Sequence, residues 1–295
     1  MYSAISANKR NTVIIMAVFL LIVGGLGGVF GYMYSNMWII AYALAFAVIY
    51  VIIQVFAASH EALAINGARE IQKKDAPELY RIVENLAITE GLPMPKVYVM
   101  QDPAPNAFAT GRNPKTASVA VTTGLLEIMD KRELTAVMAH EMGHVKNYDI
   151  LVSMISFGIV GAIGLLADLL TRMLWYGGSS RRSNNSKNDS SGAAALLIGL
   201  VAALLATLAA TLVQLAISRQ REYLADASGS LTTRDPEALA SALEKLKTEG
   251  RPMIRQNKST ASMFFSNPLK KKGLFQTHPP LDERIKRLRE NATKI

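Results

Sequence analysis

The stretch A-V-M-A-H-E-M-G-H-V-K-N-Y-D, residues 136–149, contains His140, Glu141 and His144 in the spacing H-E-x-x-H. Residues four apart lie on the same face of an α-helix, so the two imidazoles can bind one metal ion together. Glu141 follows the first histidine and is close enough to exchange a proton with water on that ion. Imidazole ligands and a site of four ligands favour Zn²⁺, and we expect one ion per chain.

The residues around this motif suit a helix that is buried on one side. Leu134, Val137 and Met138 supply an apolar face, and Gly143 permits another element to approach closely beside the metal. The chain has only four histidines, and two of them fall in this one motif. A surface helix that carries the pattern by coincidence is therefore a weak alternative.

Half of the residues are hydrophobic, and they are concentrated in four uncharged runs that are long enough to cross a bilayer. The runs are Asn11–Tyr34, Met37–Ala58, Ile150–Ala167 and Ala193–Ile217. The first run could instead be a secretory signal peptide, but it is too long and lacks a clear cleavage site. We therefore predict a mainly α-helical membrane protein with four transmembrane helices and the lipid bilayer as its surroundings.

Cysteine and charge exclude several classes of protein. The absence of cysteine rules out disulfides and thiolate metal sites. Residues 59–149 carry a net charge of −2 (10 basic, 12 acidic), whereas residues 218–295 carry +7 (16 basic, 9 acidic). A basic segment of this kind can adhere to an anionic membrane surface. We predict no nucleic-acid partner, because no basic strand with interleaved aromatic residues and no groove-binding helix is visible.

The spans divide the chain into two membrane hairpins and two soluble segments. We predict hairpins at residues 1–58 and 150–217, the second with a far-side loop at 177–192. Residues 59–149 and 218–295 then form one α+β catalytic domain with a small β-sheet. Its predicted elements are helices at Ser59–Lys74 and Ala76–Glu90, strands at Lys96–Met100 and Ala117–Thr122, and a helix from about Lys131 that continues into the third span. Later helices are predicted after Asp235 and over Leu281–Asn291.

Basic residues near the span ends predict the orientation. Ten lie on the side of both termini, and three, Arg181, Arg182 and Lys187, lie in the far-side loop. Because the cytoplasmic side carries the excess of Lys and Arg, we expect the termini and the catalytic domain to be cytoplasmic. The arginines of the far-side loop leave open whether spans three and four cross the bilayer fully.

Catalytic zinc needs a third protein ligand. The extended motif H-E-x-x-H-x-x-G-x-x-H is excluded, because Asn147 and Ile150 stand where glycine and histidine are required. The best remaining candidate is Glu222 in R-E-Y-L-A-D, on the helix that leaves the fourth span. Asp226 follows one turn later, where it can accept the second ring N–H of a ligand histidine. From the residues alone, the alternative that Glu222 belongs to an ordinary cluster of charged side chains beside the membrane stays open.

Four motifs together resemble the HtpX-type membrane zinc metalloproteases, which are related to the CaaX prenyl protease group. They are P-N-A-F-A-T-G at 105–111, V-M-A-H-E-M-G-H at 137–144, R-E-Y-L-A-D at 221–226 and H-P-P-L-D-E-R at 278–284. The resemblance spans essentially the whole chain. It implies a zincin-like catalytic domain with Glu222 as the third ligand.

The resemblance also implies substrate and transition-state contacts. Asn106, Ala107 and Phe108 are expected in an edge strand that binds the substrate backbone, since an unpaired edge offers main-chain hydrogen bonds to any sequence. A plain turn and strand is the alternative. His278, with Arg284 as a second candidate, is expected to stabilise the oxyanion, although His278 can equally be the cap of the last helix.

The predicted reaction is hydrolysis of peptide bonds, with Glu141 as the general base towards water activated by zinc. Two alternatives stay open: a zinc-dependent membrane scaffold or chaperone without turnover, and a prenyl-protein protease. The resemblance implies a location in the bacterial plasma membrane and quality control of misfolded or damaged membrane proteins under stress. The expected partners are polypeptide substrates, and self-cleavage or self-association is a further option.

Overall fold

The computed structural model describes residues 2–179, 201, 204–205, 219–255, 259–267 and 279–292. The described elements are mostly helices, with one small sheet formed by strands that lie between residues 68 and 122. In chain order they are α1 (Tyr2–Met33), α2 (Trp38–Ile65), β1 (Ala68–Glu70), α3 (Pro77–Glu90), β2 (Lys96–Met100), β3 (Ala107–Thr110), β4 (Ser118–Thr122), α4 (Thr123–Ile128), α5 (Lys131–Lys146), α6 (Asp149–Ser179), α7 (Arg219–Thr233), α8 (Pro236–Glu249) and α9 (Leu281–Ala292).

Within these described ranges, three helices are long and apolar enough to cross a membrane. They are Ala4–Tyr32, Trp38–Ile65 and Asp149–Asp168, which correspond to the first three predicted spans. Most of the fourth predicted span, all but residues 201 and 204–205, and most of the far-side loop lie outside the described residues. The first helix begins at Tyr2, before the apolar run, and so includes the polar start of the chain.

The first two helices form the predicted antiparallel hairpin, and α6 packs against both of them. Their shared contact is an apolar cluster that includes Ile15, Phe19, Ala47 and Ile159, and it also buries Leu205. This cluster adjoins a second one, which joins the end of α2 to the sheet. The hairpin of α1 and α2 is thus in direct contact with the sheet.

The prediction of a helix over Ser59–Lys74 was wrong beyond Ile65. The second span simply continues to Ile65 and ends at a turn in which Gly67 has φ +66°, a conformation that glycine adopts without steric cost. The chain then enters β1, which pairs antiparallel with β2. A three-residue strand is too short to show a periodic pattern of apolar residues. Its pairing partner also lies about 30 residues away, so no local pattern indicates β1.

The sheet has the strand order β1-β2-β4-β3, and only the pair β2–β4 is parallel. The predicted strands at Lys96–Met100 and Ala117–Thr122 are confirmed as β2 and β4. Every residue of β4 is buried, because one face packs on α3, α5 and α8 and the other on the end of α2 and on α6. This position brings the edge strand β3 beside the H-E-x-x-H helix.

The prediction of one continuous helix from Lys131 into the third span was also wrong. The helix α5 ends at Lys146, and α6 begins at Asp149. Between them Tyr148 has φ +61°, which is uncommon for a residue with a side chain and breaks the helical path. The break separates the helix that carries H-E-x-x-H from the third predicted span.

The helices after the fourth predicted span agree with the sequence patterns. Asp235 caps α8 by accepting a hydrogen bond from the Ala238 N–H, and Pro236 occupies its first turn. The last helix covers Leu281–Ala292 and packs on α8. These helices enclose α7 between themselves and α5, which places the R-E-Y-L-A-D motif next to the two histidines.

Candidate metal centre and active site

The helix α5, which carries H-E-x-x-H, is fixed at its start by a capping box. The Asp130 carboxylate accepts from the Glu133 N–H, and the Glu133 carboxylate accepts from the Asp130 N–H. Ten residues later, His140 and His144 lie one turn apart with their Nε2 atoms 3.1 Å from each other. His140 is completely buried and His144 is partly exposed. The site therefore has a closed inner side and one side that is open to approach.

The helix α7 brings Glu222 to the same point. Its carboxylate oxygens lie 3.8 Å from Nε2 of His140 and 3.6 Å from Nε2 of His144. One ligand atom from each of these three residues falls within 4.8 Å of the others. The spacing predicted this meeting of α5 and α7, and the structure brings the three residues together.

The close approach of α5 and α7 depends on two glycines. A Cβ added to Gly229 would lie 2.9 Å from the His140 backbone nitrogen, so no larger residue fits there without movement. A Cβ added to Gly143 would meet Ala225 at 3.4 Å, which is an ordinary contact. The contact at Gly229 is thus tighter than the contact at Gly143. It lets α7, which carries Glu222, lie close to the histidines on α5.

His140 is supported by a carboxylate from α7. Its Nδ1 lies 2.9 Å from Oδ1 of Asp226, as the one-turn spacing after Glu222 predicted. Arg284 from α9 donates two hydrogen bonds to Asp226, at 2.9 and 2.6 Å, and is itself fully buried. Burial would raise the pKa of Asp226, but the charge of Arg284 and the contact with His140 hold it well below its usual range.

His144 is supported by a different carboxylate, which sequence reasoning missed. Its Nδ1 is hydrogen-bonded to Oδ2 of Asp149 at 2.8 Å. Asp149 is the first residue of α6 and lies five positions after His144, so it reaches back only because the helix breaks at Tyr148. An acidic residue just after the motif was visible in the sequence, but its role was hidden by the expectation of an unbroken helix.

The two carboxylates determine how the histidines can serve as ligands. Each engages Nδ1, which leaves the Nε2 atoms directed towards each other and towards Glu222. An imidazole held in this way by a carboxylate presents its Nε2 lone pair to a metal. Two imidazole nitrogens and one carboxylate oxygen are the ligand set of many catalytic zinc sites. The residues present therefore fit Zn²⁺.

Electrostatic surroundings distinguish the two histidines. Burial lowers the pKa of His140 to about 4, which keeps its ring neutral. Burial would also lower the pKa of His144, but the hydrogen bond to Asp149 and the charge of Glu222 raise it to about 9. A proton and a metal ion compete for the same position between His144 and Glu222, so this pocket attracts a cation.

Glu141 lies within the site and is 1 % exposed. Burial and the negative charge of Glu222 raise the pKa of its carboxyl to about 7, while His144 and a hydrogen bond from the Ala109 backbone oppose the rise. A carboxyl with a pKa near neutrality can both take up and release a proton at physiological pH. This is the behaviour that a general base and acid requires.

The three residues predicted to bind substrate lie at the outer edge of the sheet. The Asn106 carbonyl accepts from the Thr122 N–H and so faces β4. The polar groups of Ala107 therefore face the other way, where its carbonyl accepts from the Phe265 N–H at 2.8 Å. Phe108 is buried and forms an antiparallel bridge with Phe264.

A short segment of the chain, residues 264–266, thus already pairs with β3. The Asn106 side chain strengthens the pairing, because it donates to the Ser266 carbonyl at 2.8 Å and accepts from the Ser266 N–H at 3.0 Å. The Phe265 ring lies 5.0 Å from the ring of His140. This segment had no signal in the sequence, because its pairing with β3 spans about 160 residues.

Of the two candidates for oxyanion stabilisation, the structure describes Arg284 but not His278. Arg284 reaches the site, with its guanidinium 3.7 Å from the Glu222 carboxylate, but both of its hydrogen bonds to Asp226 hold it behind the histidines. His278 lies outside the described residues, and its role stays a prediction.

Comparison with known proteins confirms the resemblance. The model of peptidase family M48 matches residues 73–292. The chain is 53% identical to a "Protease HtpX homolog" of Tropheryma whipplei (strain Twist), over 100% of both chains, and 43% identical to one of Streptococcus gordonii, over 98% and 99%. The crystal structure of S. mikatae Ste24p shares the fold, with a TM-score of 0.51 at 19% identity, over 98% of this chain and 67% of that one.

These matches cover both the membrane hairpin and the catalytic domain, and the curated relatives are proteases. They confirm the prediction of an enzyme that hydrolyses peptide bonds. The chain belongs to peptidase family M48 and is an HtpX-type membrane metalloprotease.

Proposed function

We propose that His140, His144 and Glu222 bind one Zn²⁺ and that Glu141 is the general base of peptide hydrolysis. The observation that carries this proposal is the group of three ligand atoms within 4.8 Å, next to a buried carboxyl with a pKa of about 7. When bound, zinc supplies a Lewis acid that makes water acidic enough to act as a nucleophile near neutral pH.

The protein residues then have separate tasks. Glu141 takes a proton from the attacking water and returns it to the leaving amine, which its raised pKa permits. Asp226 and Asp149 orient the two histidines through Nδ1. The Arg284 guanidinium keeps Asp226 ionised at the pH at which the enzyme works. His278 is our candidate for stabilising the oxyanion.

Glu141→Gln and Glu222→Ala test these roles in the full-length protein purified in detergent. We expect Glu141→Gln to keep its zinc and to lose cleavage of an unfolded membrane-protein substrate by about 10²–10⁴-fold, since a general base contributes about that much. We expect Glu222→Ala to lose zinc. An active Glu141→Gln variant, or an unchanged zinc content in Glu222→Ala, would refute the respective role.

We also propose that β3 binds the backbone of the substrate at Asn106, Ala107 and Phe108 by strand addition. The main-chain groups of Ala107 support this, because they point away from β4 and lie near the metal-binding helix. Residues 264–266 already pair with that edge of β3. A substrate peptide can therefore pair with β3 only after these residues have moved away from it.

A disulfide between β3 and this segment tests the assignment cleanly, because the chain has no cysteine of its own. Asn106 and Ser266 lie directly opposite each other in the pairing, where side chains are close enough for a disulfide. We expect Asn106→Cys with Ser266→Cys to be inactive when oxidised and active again when reduced. The single variant Ser266→Cys is the control. Full activity of the oxidised pair would contradict strand addition at this edge.

For its cellular setting, we propose that the enzyme cleaves misfolded or damaged proteins of the bacterial plasma membrane, itself included, from the cytoplasmic side. The packing of α2 on the sheet and the contact of α6 with α5 support a site close to the membrane surface. Ser186→Cys in the predicted far-side loop tests the orientation. We expect an impermeant thiol reagent to label it in intact cells, and protection in intact cells with labelling after lysis would reverse the topology.

A further inference from the structure

The break between the metal-binding helix and the third span is the place where α1 contacts the catalytic domain. Three consecutive residues form the break: Asn147, Tyr148 and Asp149. Tyr148 is held at φ +61°, a conformation that a non-glycine residue keeps only where its surroundings enforce it. Because Asp149 supports His144, whatever enforces the break also sets the position of a metal ligand.

Two consecutive residues of α1 supply that enforcement. The Asn8 side-chain amide donates to the Asn147 carbonyl at 2.9 Å and to Oδ1 of Asp149 at 2.6 Å. The Lys9 ammonium lies over the Tyr148 ring, 4.8 Å from its centroid. One turn of α1 thus contacts each of the three residues of the break.

These contacts are made away from water. Asn8, Asn147 and Asp149 are 3%, 1% and 4% exposed. Hydrogen bonds to an ionised group in such surroundings are stronger than neutral ones, and leaving the acceptor without its donor is costly. Asp149 therefore uses one oxygen for the first membrane helix and the other for His144, at 2.6 and 2.8 Å.

We propose that Asn8 is a positioning residue for the metal site. It holds Asp149 in the orientation that engages Nδ1 of His144, so the N-terminal membrane helix is part of the metal centre as well as an anchor. This inference rests on the proposed zinc site. Arg221 on α7 also interacts electrostatically with Asp149. Asn8, however, donates hydrogen bonds both to Oδ1 of Asp149 and to the Asn147 carbonyl.

Zinc retention by the full-length protein in detergent tests the role of Asn8. We expect Asn8→Ala to weaken zinc binding, measured by competition with a chelator of known affinity, by about 10–100-fold, the usual effect of losing a supporting residue behind a ligand. Asn8→Asp should be worse, since it keeps the shape, lacks the N–H donor and faces Asp149 with a like charge. Cleavage should lose kcat with little change in KM.

Thr12→Val is the matched control, because Thr12 is also buried on α1 and its hydroxyl donates to the Asn8 backbone carbonyl within the helix, not to Asn147 or Asp149. It should retain zinc as the unaltered protein does. In a double-mutant cycle, Asn8→Ala should add little once Asp149→Ala is present. If Asn8→Ala does not accumulate, the same comparison is made with Asn8→Ser, which stays polar and uncharged but is too short to donate to both acceptors of Asn8.

Three results would overturn the inference: zinc affinity in the Asn8 variants equal to that of the unaltered protein, an equal loss in Thr12→Val, or full additivity with Asp149→Ala. These differ from a failure of the proposed zinc site, in which the unaltered protein and Thr12→Val would themselves hold no zinc.

Discussion

The two histidines of the site are supported in the same chemical way but from opposite sides of the molecule. We call His140, Asp226 and Arg284 the soluble branch, and His144, Asp149 and Asn8 the membrane branch. In each branch a carboxylate contacts Nδ1 of a histidine, at 2.9 and 2.8 Å. In each, a further side chain donates to that carboxylate.

The branches differ in what lies behind the carboxylate. The soluble branch ends in a fully buried arginine that donates two hydrogen bonds to Asp226, so removal of Asp226 leaves a buried guanidinium that must rely on the more distant Glu222 carboxylate to offset its charge. The membrane branch ends in a neutral amide on a membrane helix. We therefore expect the soluble branch to govern both folding and metal binding, and the membrane branch to govern chiefly metal binding.

The largest effect is expected from Asp226→Ala. Breaking a buried ion pair by removing one partner typically costs about 3–5 kcal/mol, because here Arg284 would remain buried and charged. Chemical unfolding in detergent measures the loss. As a control, Asp226→Leu together with Arg284→Met should recover most of the stability while zinc binding stays weak. An unfolding midpoint that Asp226→Ala leaves unchanged would contradict the distinction between the branches.

Asp149→Ala should have a smaller effect, concentrated on the metal. We expect zinc affinity to fall by about 10–100-fold, as is usual when the carboxylate behind a ligand histidine is lost, with a smaller loss of stability than in Asp226→Ala. Asp149→Asn keeps one of the two acceptor oxygens, which can serve either the His144 ring N–H or Asn8, so it should bind zinc more tightly than Asp149→Ala and less tightly than the unaltered protein. If Asp149→Ala destabilises the fold as much as Asp226→Ala does, the two branches are equivalent and our comparison is wrong.

The helix contact beside the soluble branch predicts a difference between two glycines. Gly229→Ala places a methyl group 2.9 Å from the His140 backbone, so α7 must shift and carry Glu222 with it. We expect a loss of about 1–3 kcal/mol, the usual cost of overpacking, together with reduced zinc content. Gly143→Ala, with its contact at 3.4 Å, should be nearly neutral. Equal effects at the two positions would argue against the close helix contact as the feature that sets the site.

The smallest effect is expected from an acid–base pair outside both branches. Asp235 pairs with Arg132, and its pKa is lowered chiefly by that hydrogen bond. A group with a lowered folded pKa contributes stability above its unfolded pKa, near 3.9, and this contribution is lost as the pH falls. We expect Arg132→Ala to cost little stability at pH 7, because exposed ion pairs are weak, with a loss that shrinks further as the pH falls from about 3.9 through the lowered pKa of Asp235, and to leave zinc binding unchanged. A loss that grows in acid would reverse the sign of this linkage.

Local sequence patterns predicted the features that depend on residues one or two helical turns apart. His140 and His144, Glu222 and Asp226, and the cap at Asp235 all fall into this class. The meeting of Glu222 with the histidines also followed, because an out-and-back pair of membrane helices returns the chain to its starting level. The small sheet was predicted from its two longest strands, whose apolar residues have a clear pattern.

The features that were missed depend on contacts that no local pattern records. Asp149 contacts His144 just after a turn in which Tyr148 has a left-handed conformation, and Asn8, about 140 residues earlier, donates hydrogen bonds to Asn147 and Asp149 on either side of Tyr148. The pairing of residues 264–266 with β3 is equally distant in sequence. Such contacts arise from tertiary packing, which overrides the helical periodicity that predicted one unbroken helix from Lys131 into the membrane.

X-ray absorption at the zinc edge of the purified full-length protein tests the central claim most directly. The claim is that the Nε2 atoms of both histidines and the Glu222 carboxylate hold one zinc ion. We predict two imidazole ligands with Zn–N distances of about 2.0–2.1 Å, together with oxygen ligands at similar distances. A zinc site with fewer or more than two imidazoles, or a spectrum that Glu222→Ala leaves unchanged, would contradict it.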